Sequence, residues 1–428
     1  MTRATGCLTK LLVLIAIIGV AAAAAPLFPL SPVKGSVEAK LSESLGRSVT
    51  IDSVRLKLIG GPHFALTGMT AREDPQFGDG TFLKANEVRA GLDLARSLRA
   101  GQFVIDSITI KSPQIDLVKN NNGVWSWTTL GGRPRAQSAA ALIIREAISS
   151  LSILSLVLDS DISPTQFRSI KVENASVRLV DSTTPGSSEM IYKNMGLNAS
   201  LAPYAEGEAQ GTEAKGEMFA ESGEPAEADP LTATLPFDLK ILSERDSSLS
   251  VNGSLGPGSI ETKNISIGTL DITGRVNSHK DSPLTGNGQI SASNLVVHTI
   301  NLSERVAKAL KLDQIGDMSP GTSVAGLETD FSISRGVFNT NGLQIQQLDG
   351  LGDATVPNGS FKIESALNVN YAATVTLTPE ATARVKTVSP TFGLFVTILE
   401  SNNRVSVPIN IIGDLRNPVV QVDVSRIF

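Results

Sequence analysis

Apolar and polar residues alternate along most of this chain with a period of two, the spacing that gives each β-strand one apolar face. Ser107–Trp127, SITIKSPQIDLVKNNNGVWSW, shows it most clearly: Ile108, Ile110, Ile115 and Leu117 alternate with polar partners, and Pro113 marks a bend. An Asn-Asn-Asn-Gly turn, rich in residues that tolerate φ > 0, stops the run, and both tryptophans of the protein, Trp125 and Trp127, close it. Two tryptophans at i and i+2 on a strand point the same way, which fits a cap over a core end better than a stacking site. The same alternation predicts strands at Val49–Leu58, His63–Ala71, Asn86–Leu94, Phe103–Lys111 and Ile115–Lys119, with glycine turns between them. Beyond residue 230 it returns at Leu231–Leu242, Leu249–Leu255, Ser259–Val276, Thr285–Val297, Ala325–Ile333, Leu343–Leu348, Ser360–Leu377 and Val405–Val424.

Ser107–Val118 aligns without a gap on Ser169–Val180, so that Ile108, Ile110, Ile115 and Leu117 fall on Ile170, Val172, Val177 and Leu179. A recurring strand–bend–strand unit suggests a sheet that grows by adding similar pieces. Helices are few. Ser31-Pro32 opens one that runs to Leu45, with Val33, Val37, Leu41 and Leu45 as its apolar stripe and Gly46 as its stop. Ala139–Leu158 places Ile144, Ile148, Leu151, Leu154 and Leu158 on one face. Leu302–Leu312, with Ser303 as its cap, Pro379–Val388 and Phe392–Glu400 are shorter candidates.

A different pattern opens the chain. Leu11–Leu30 carries no charge and follows Arg3 and Lys10; twenty such residues are enough for a helix to cross a bilayer. Leu11, Leu12, Leu14, Ile15, Ile17 and Ile18 head this anchor, whose flanking cations put the amino terminus in the cytoplasm. The competing reading is a cleaved signal peptide, for which Ala21–Ala25 supply small residues. Acidic residues crowd 205–230, from Glu206 to Asp229, with Lys215 alone opposing them, so this stretch is predicted to be a solvated loop or linker. The expected organisation is an anchor over 1–32, a β-rich domain over 33–204, the acidic linker over 205–230 and a second β-rich domain over 231–428.

Composition fits this mainly β class: 18% charged residues, 4% aromatic, and a net charge of −5 that advertises no nucleic-acid surface. Cys7 is the single cysteine, which excludes a disulfide framework and a cysteine metal cluster. His63, His279 and His298 stand apart from any ligand-spaced partner, and no G-x-S-x-G elbow occurs. The six Asn-x-Ser sites read as turn and edge residues. Neither a catalytic constellation nor a cofactor site emerges, and no enzyme is expected.

Four features in order resemble the AsmA family of membrane-anchored periplasmic proteins. They are the N-terminal anchor, the helix ending Leu45-Gly46-Arg47 before Val49-Thr-Ile51, the Ser112-Pro113-x-Ile-x-Leu-Val strand ending Asn-Gly-x-Trp-x-Trp, and Gly413-Asp-Leu415-Arg-Asn417-Pro418 before a last strand. Ser126 stands where the family often has Asn between the aromatics. The resemblance implies a β-rich trough of the bridge-like lipid-transfer type, moving phospholipid or supporting outer-membrane assembly, and it carries no catalytic residues. The architecture expected is therefore one transmembrane helix and an elongated, curled antiparallel sheet, either an open trough or a flattened barrel. Ile108, Ile110, Ile115 and Leu117 are the candidate lipid-lining positions, with phospholipid and other envelope proteins as partners. The alternative is a closed sandwich serving as a periplasmic scaffold.

Overall fold

The computed structural model describes residues 31–58, 61–101, 103–130, 168–183, 188–206, 209–221, 231–243, 249–278, 285–310, 321–334, 337–362, 368–388, 399–414 and 418–426. The predicted anchor, the Ala139–Leu158 helix, His279 and nearly all of Phe392–Glu400 lie outside them. Among the described residues no helix is long and apolar enough to cross a membrane. Those up to residue 203 form one compact unit and those from 204 onward a second.

The first unit opens with helix α1 (Ser31–Leu45), the helix predicted from Ser31-Pro32. Val37 and Leu41, four apart on its stripe, are buried beside the short strands β1 (Val49–Thr50) and β2 (Ser53–Lys57). Both of these pair antiparallel with β3 (His63–Arg72), which pairs with β4 (Thr81–Leu92). A helix of seven residues, α2 (Leu94–Ala100), follows where the alternation had extended the strand to Leu94. Asp93 caps it, its Oδ1 accepting from the Arg96 N–H at 2.9 Å, and Gly101 ends it in the left-handed region. Next come β5 (Ile105–Lys111) and β6 (Gln114–Lys119), both alongside β4. β7 (Ser169–Asp181) then pairs with β8 (Ser188–Glu206).

One step departs from the antiparallel sheet expected: β7 runs parallel to β5 and β6. Its register is Ile108↔Ile170, Ile110↔Val172, Ile115↔Val177 and Leu117↔Leu179. That is the gapless alignment seen in the sequence, so the two similar segments are adjacent strands in register. Like residues lie beside like, which is why the two stretches resemble each other.

The second unit is an antiparallel meander in chain order: β9 (Ala209–Ala220), β10 (Leu231–Ser243), β11 (Leu249–Thr262), β12 (Ile265–Ser278) and β13 (Thr285–Val297). Helix α3 (Leu302–Ala309) intervenes, capped by Asn301 rather than the predicted Ser303. Then follow β14 (Thr322–Ser334), β15 (Val337–Leu348), β16 (Gly352–Lys362) and β17 (Asn368–Leu377). Helix α4 (Pro379–Val388) and β18 (Glu400–Ser401) precede β19 (Arg404–Asp414), which lies between β17 and β20 (Val419–Val422). Ser259–Val276, read as one run, is two strands that turn at Lys263-Asn264.

β9 corrects the acidic-linker reading over the described part of 205–230, since Gln210–Ala220 pair with β10. The charges fall on one side: Lys215 bridges Glu213 and Asp238, each at 3.2 Å. Thr212 and Ala214 fall on the other side and are buried, opposite Ile241 and Leu239. A strand tolerates this density of carboxylates because alternate positions need no core.

Around β14–β19 the sheet has a sealed core. Val306, Ala307 and Leu310 of α3 and its C-terminal end, with Ala381 and Val385 of α4, pack on Val356, Ala373, Val375, Val407 and Ile409.

Candidate apolar binding face

Cross-strand register assembles apolar rows in the first unit. Leu66, Val88, Ile110, Val172 and Leu197 lie side by side, as do Phe64, Ala90, Ile108, Ile170 and Ala199. Beyond these rows runs a crease. Ser112, Asn174 and Asn194 have φ of 46°, 52° and 55°, and Gly68 has φ of 62°. A left-handed residue inside a strand slips the alternation of faces by one. Apolar neighbours then stand three apart across the crease instead of two: Leu66 and Met69, Ile110 and Pro113, Val172 and Ala175. Ile115 and Leu117 thereby rejoin the apolar side, beside Val177 and Leu179. The ladder itself is not broken, for Ser112 N–H donates to the Glu173 carbonyl and Ser176 N–H to that of Pro113, both at 2.8 Å.

The four candidate lining residues are therefore brought onto one surface, but they are not equivalent. Ile108 is buried, whereas Ile110, Ile115 and Leu117 are only half-buried. The opposite side is salt-bridged, Arg178 contacting Glu189 at 2.7 Å and Asp116 at 3.3 Å, while Lys119 and Asp181, paired at 3.1 Å, close the end of the Ile115 and Leu117 row on its own side. Glu87 sits between Arg89 and Lys57, and the Arg89 guanidinium together with the Lys57 ammonium lowers its carboxyl to about 2.

At the far end of this unit the tryptophan turn meets the segment that follows α1. Trp125 bridges back to Lys119, and Trp127 lies in a 3-10 turn (Ser126–Thr129) rather than on a strand; the two rings stack at 4.4 Å. Asn120 Oδ1 accepts from the N–H groups of Asn122 and Val124, folding the Asn-rich turn. Arg47 is buried beneath it. Its guanidinium pairs with Glu73, donates to the Ser126 carbonyl at 2.6 Å and covers the Phe82 ring at 4.1 Å. Leu45-Gly46-Arg47 and Asn-Gly-x-Trp-x-Trp, distant in sequence, are thus two halves of one clasp.

The second unit supplies apolar rows that the sequence reading did not single out. Phe237, Leu255, Ile272 and Ile290 are successive register partners across β10–β13, and Ile241, Val251 and Val276 form the adjoining row. Between them Gly253, Gly274 and Gly288 form a row of their own, on which the Phe331 ring lies: a Cβ at Gly288 would meet it at 2.8 Å. The four residues of the first row stay half-buried, and on β13 Ile290 alternates with exposed Gln289 and Ser291. That alternation was the available signal, and a strand prediction alone does not separate a sealed face from an open one.

His63 Nδ1 lies 2.6 Å from the Gly61 carbonyl in the first unit, and His298 Nε2 lies 3.1 Å from Ser266 Oγ in the second. A family model described as the AsmA family matches residues 1–224. No curated protein matches the chain.

Proposed function

This chain belongs to the AsmA family, and from that premise we propose that it is an inner-membrane-anchored periplasmic protein that binds phospholipid acyl chains on its apolar β-faces, transfers the lipid and so supports outer-membrane assembly. Family membership and a large β fold support an envelope role related to lipid transport. One observation carries the finer reading. The row Phe237–Leu255–Ile272–Ile290 is left half-buried, even though Phe331 and Ile333 pack against Ile272 and Ile290 and the same meander is sealed by α3 and α4 a few strands further on. A filled sandwich would bury those side chains, whereas an acyl chain can cover them, gaining about 25 cal/mol for each Å² removed from water. Headgroups remain at the polar rim. No catalytic step or cofactor belongs to this reading.

The test is a photo-crosslinking residue placed at Ile290 or Ile115 of the full-length protein in its membrane, with Gln289, exposed on the opposite face, as the comparison. Phospholipid adducts at Ile290 and Ile115 but not at Gln289 are the expected result. Protein adducts with no lipid at either site would replace this function by the periplasmic scaffold.

A further inference from the structure

Helix α2 is turned the wrong way round for a helix packed on a sheet. Leu94 and Leu98, one turn apart, are 46% and 84% exposed, and Phe103 just after the helix is 51% exposed. α2 buries no residue at all. Phe103 meets the sheet in an edge contact to Phe64, with ring centroids 5.2 Å apart. An apolar stripe normally faces the core; three large side chains facing solvent together mark a surface for an apolar partner.

Cations surround the stripe. Arg99 is exposed in the last turn of α2, Arg96 lies between the two leucines in sequence, and Arg168 is 67% exposed at the start of the neighbouring β7. The acidic groups here are Asp93, which Arg96 Nε holds at 2.6 Å with Arg168 at 3.9 Å, and half-buried Asp106. Arginines beside exposed leucines and phenylalanine are the composition of an interfacial membrane helix.

The path of α1 indicates which membrane. Val49 N–H donates to Ser42 Oγ, and Ile51 N–H donates to Glu38 Oε1. The helix therefore runs backward along the first strands, and seven more residues carry it about 10 Å further to Ser31, toward Lys57. Lys57 pairs with His63, and His63 with Gly91, at the end of the sheet that bears α2. The uncharged run Leu11–Leu30 thus joins the fold at the end where Leu94, Leu98 and Phe103 protrude. We infer that Leu94, Leu98 and Phe103 dip into the bilayer that receives the N-terminal segment, with Arg96, Arg99 and Arg168 on anionic headgroups, so that the first unit stands with this end on the membrane. The inference rests on the proposed membrane-anchored reading.

The experiment uses the full chain with Cys7→Ser and a bimane label at Leu98→Cys or at Gln76→Cys, the latter exposed beyond the other end of β3. The protein is reconstituted into vesicles of phosphatidylcholine with or without phosphatidylglycerol, containing headgroup-proximal doxyl lipid, and recovered by flotation. Quenching and a blue shift at position 98 but not at 76 are expected. Replacing Arg96 and Arg99 by Gln should lower the docked-to-undocked ratio about fivefold per arginine, and only in the vesicles holding phosphatidylglycerol. No quenching at 98, or equal quenching at both positions, overturns the proposal. Loss on replacing the arginines that is equal in both vesicles overturns its headgroup half. Lipid adducts at Ile290 and Ile115 persisting without quenching at 98 would reject this docking alone and leave the lipid-binding function standing.

Discussion

A single arginine holds the first unit's clasp together. Arg47 and Glu73 are both almost wholly removed from water, with side chains 1% and 2% exposed. Replacing one charge of such a pair strands the other and costs about 3–5 kcal/mol, whereas replacing both by apolar residues is far milder. Arg47→Met is expected to lower the stability of the first unit by that amount, and the Arg47→Met/Glu73→Met double variant should recover much of it. Part is not recovered, because the Ser126 carbonyl and Thr129 hydroxyl also accept from Arg47. Denaturant unfolding followed by tryptophan emission is the measurement, since Trp125 and Trp127 both lie in this unit. An unchanged midpoint in Arg47→Met would remove the clasp from the account of stability. The sequence displayed Leu45-Gly46-Arg47 and the tryptophan turn as separate signatures; that they touch is a long-range fact, set by the β3–β4 hairpin that brings Glu73 and Phe82 between them.

Among the elements, the strands were legible wherever alternation was unbroken and became ambiguous wherever a left-handed residue slipped it. The spacing from Ile110 to Ile115 is odd, so simple alternation sends the two isoleucines to opposite sides; Ser112 and Asn174, matched across the parallel ladder, bring them back together. Asn visits this backbone region at little expense and β-branched residues do not. Asn174→Val is therefore expected to destabilise the first unit by about 1–2 kcal/mol, and Asn174→Gly to stay close to the parent in the same tryptophan-monitored unfolding. Equal losses from the two variants would assign the effect to the Asn side chain and not to the crease. Two other elements escaped the sequence for reasons of the same kind. β9 is hidden by its carboxylates, which alternate onto the wet face, and α2 is hidden by Leu94, which continues the strand pattern although Asp93 has already capped a helix.

For the whole molecule, fold class was readable because alternation is repeated so often that local errors average out, while the openness of each face was not. Ile290 and Ile409 have similar strand contexts, yet one is half-buried and the other lies under the helix-capped core. Coverage depends on where α3 and α4 dock, and no strand records that. Each unit has its own half-buried apolar rows, so each should hold its own share of lipid. A lysine among acyl chains must either desolvate its charge or keep the lipid away. Ile115→Lys with Leu117→Lys should then remove the first unit's share of phospholipid co-purifying with the full-length protein, and Ile272→Lys with Ile290→Lys the second unit's, with all four substitutions leaving little. Phospholipid per protein, measured by mass spectrometry after extraction, gives the shares, and tryptophan-monitored unfolding confirms that the first unit remains folded in each variant. If either pair alone empties the protein, lipid is retained cooperatively by the two units and the independent-share account is wrong. If neither pair changes the lipid content, the apolar rows are not where lipid resides.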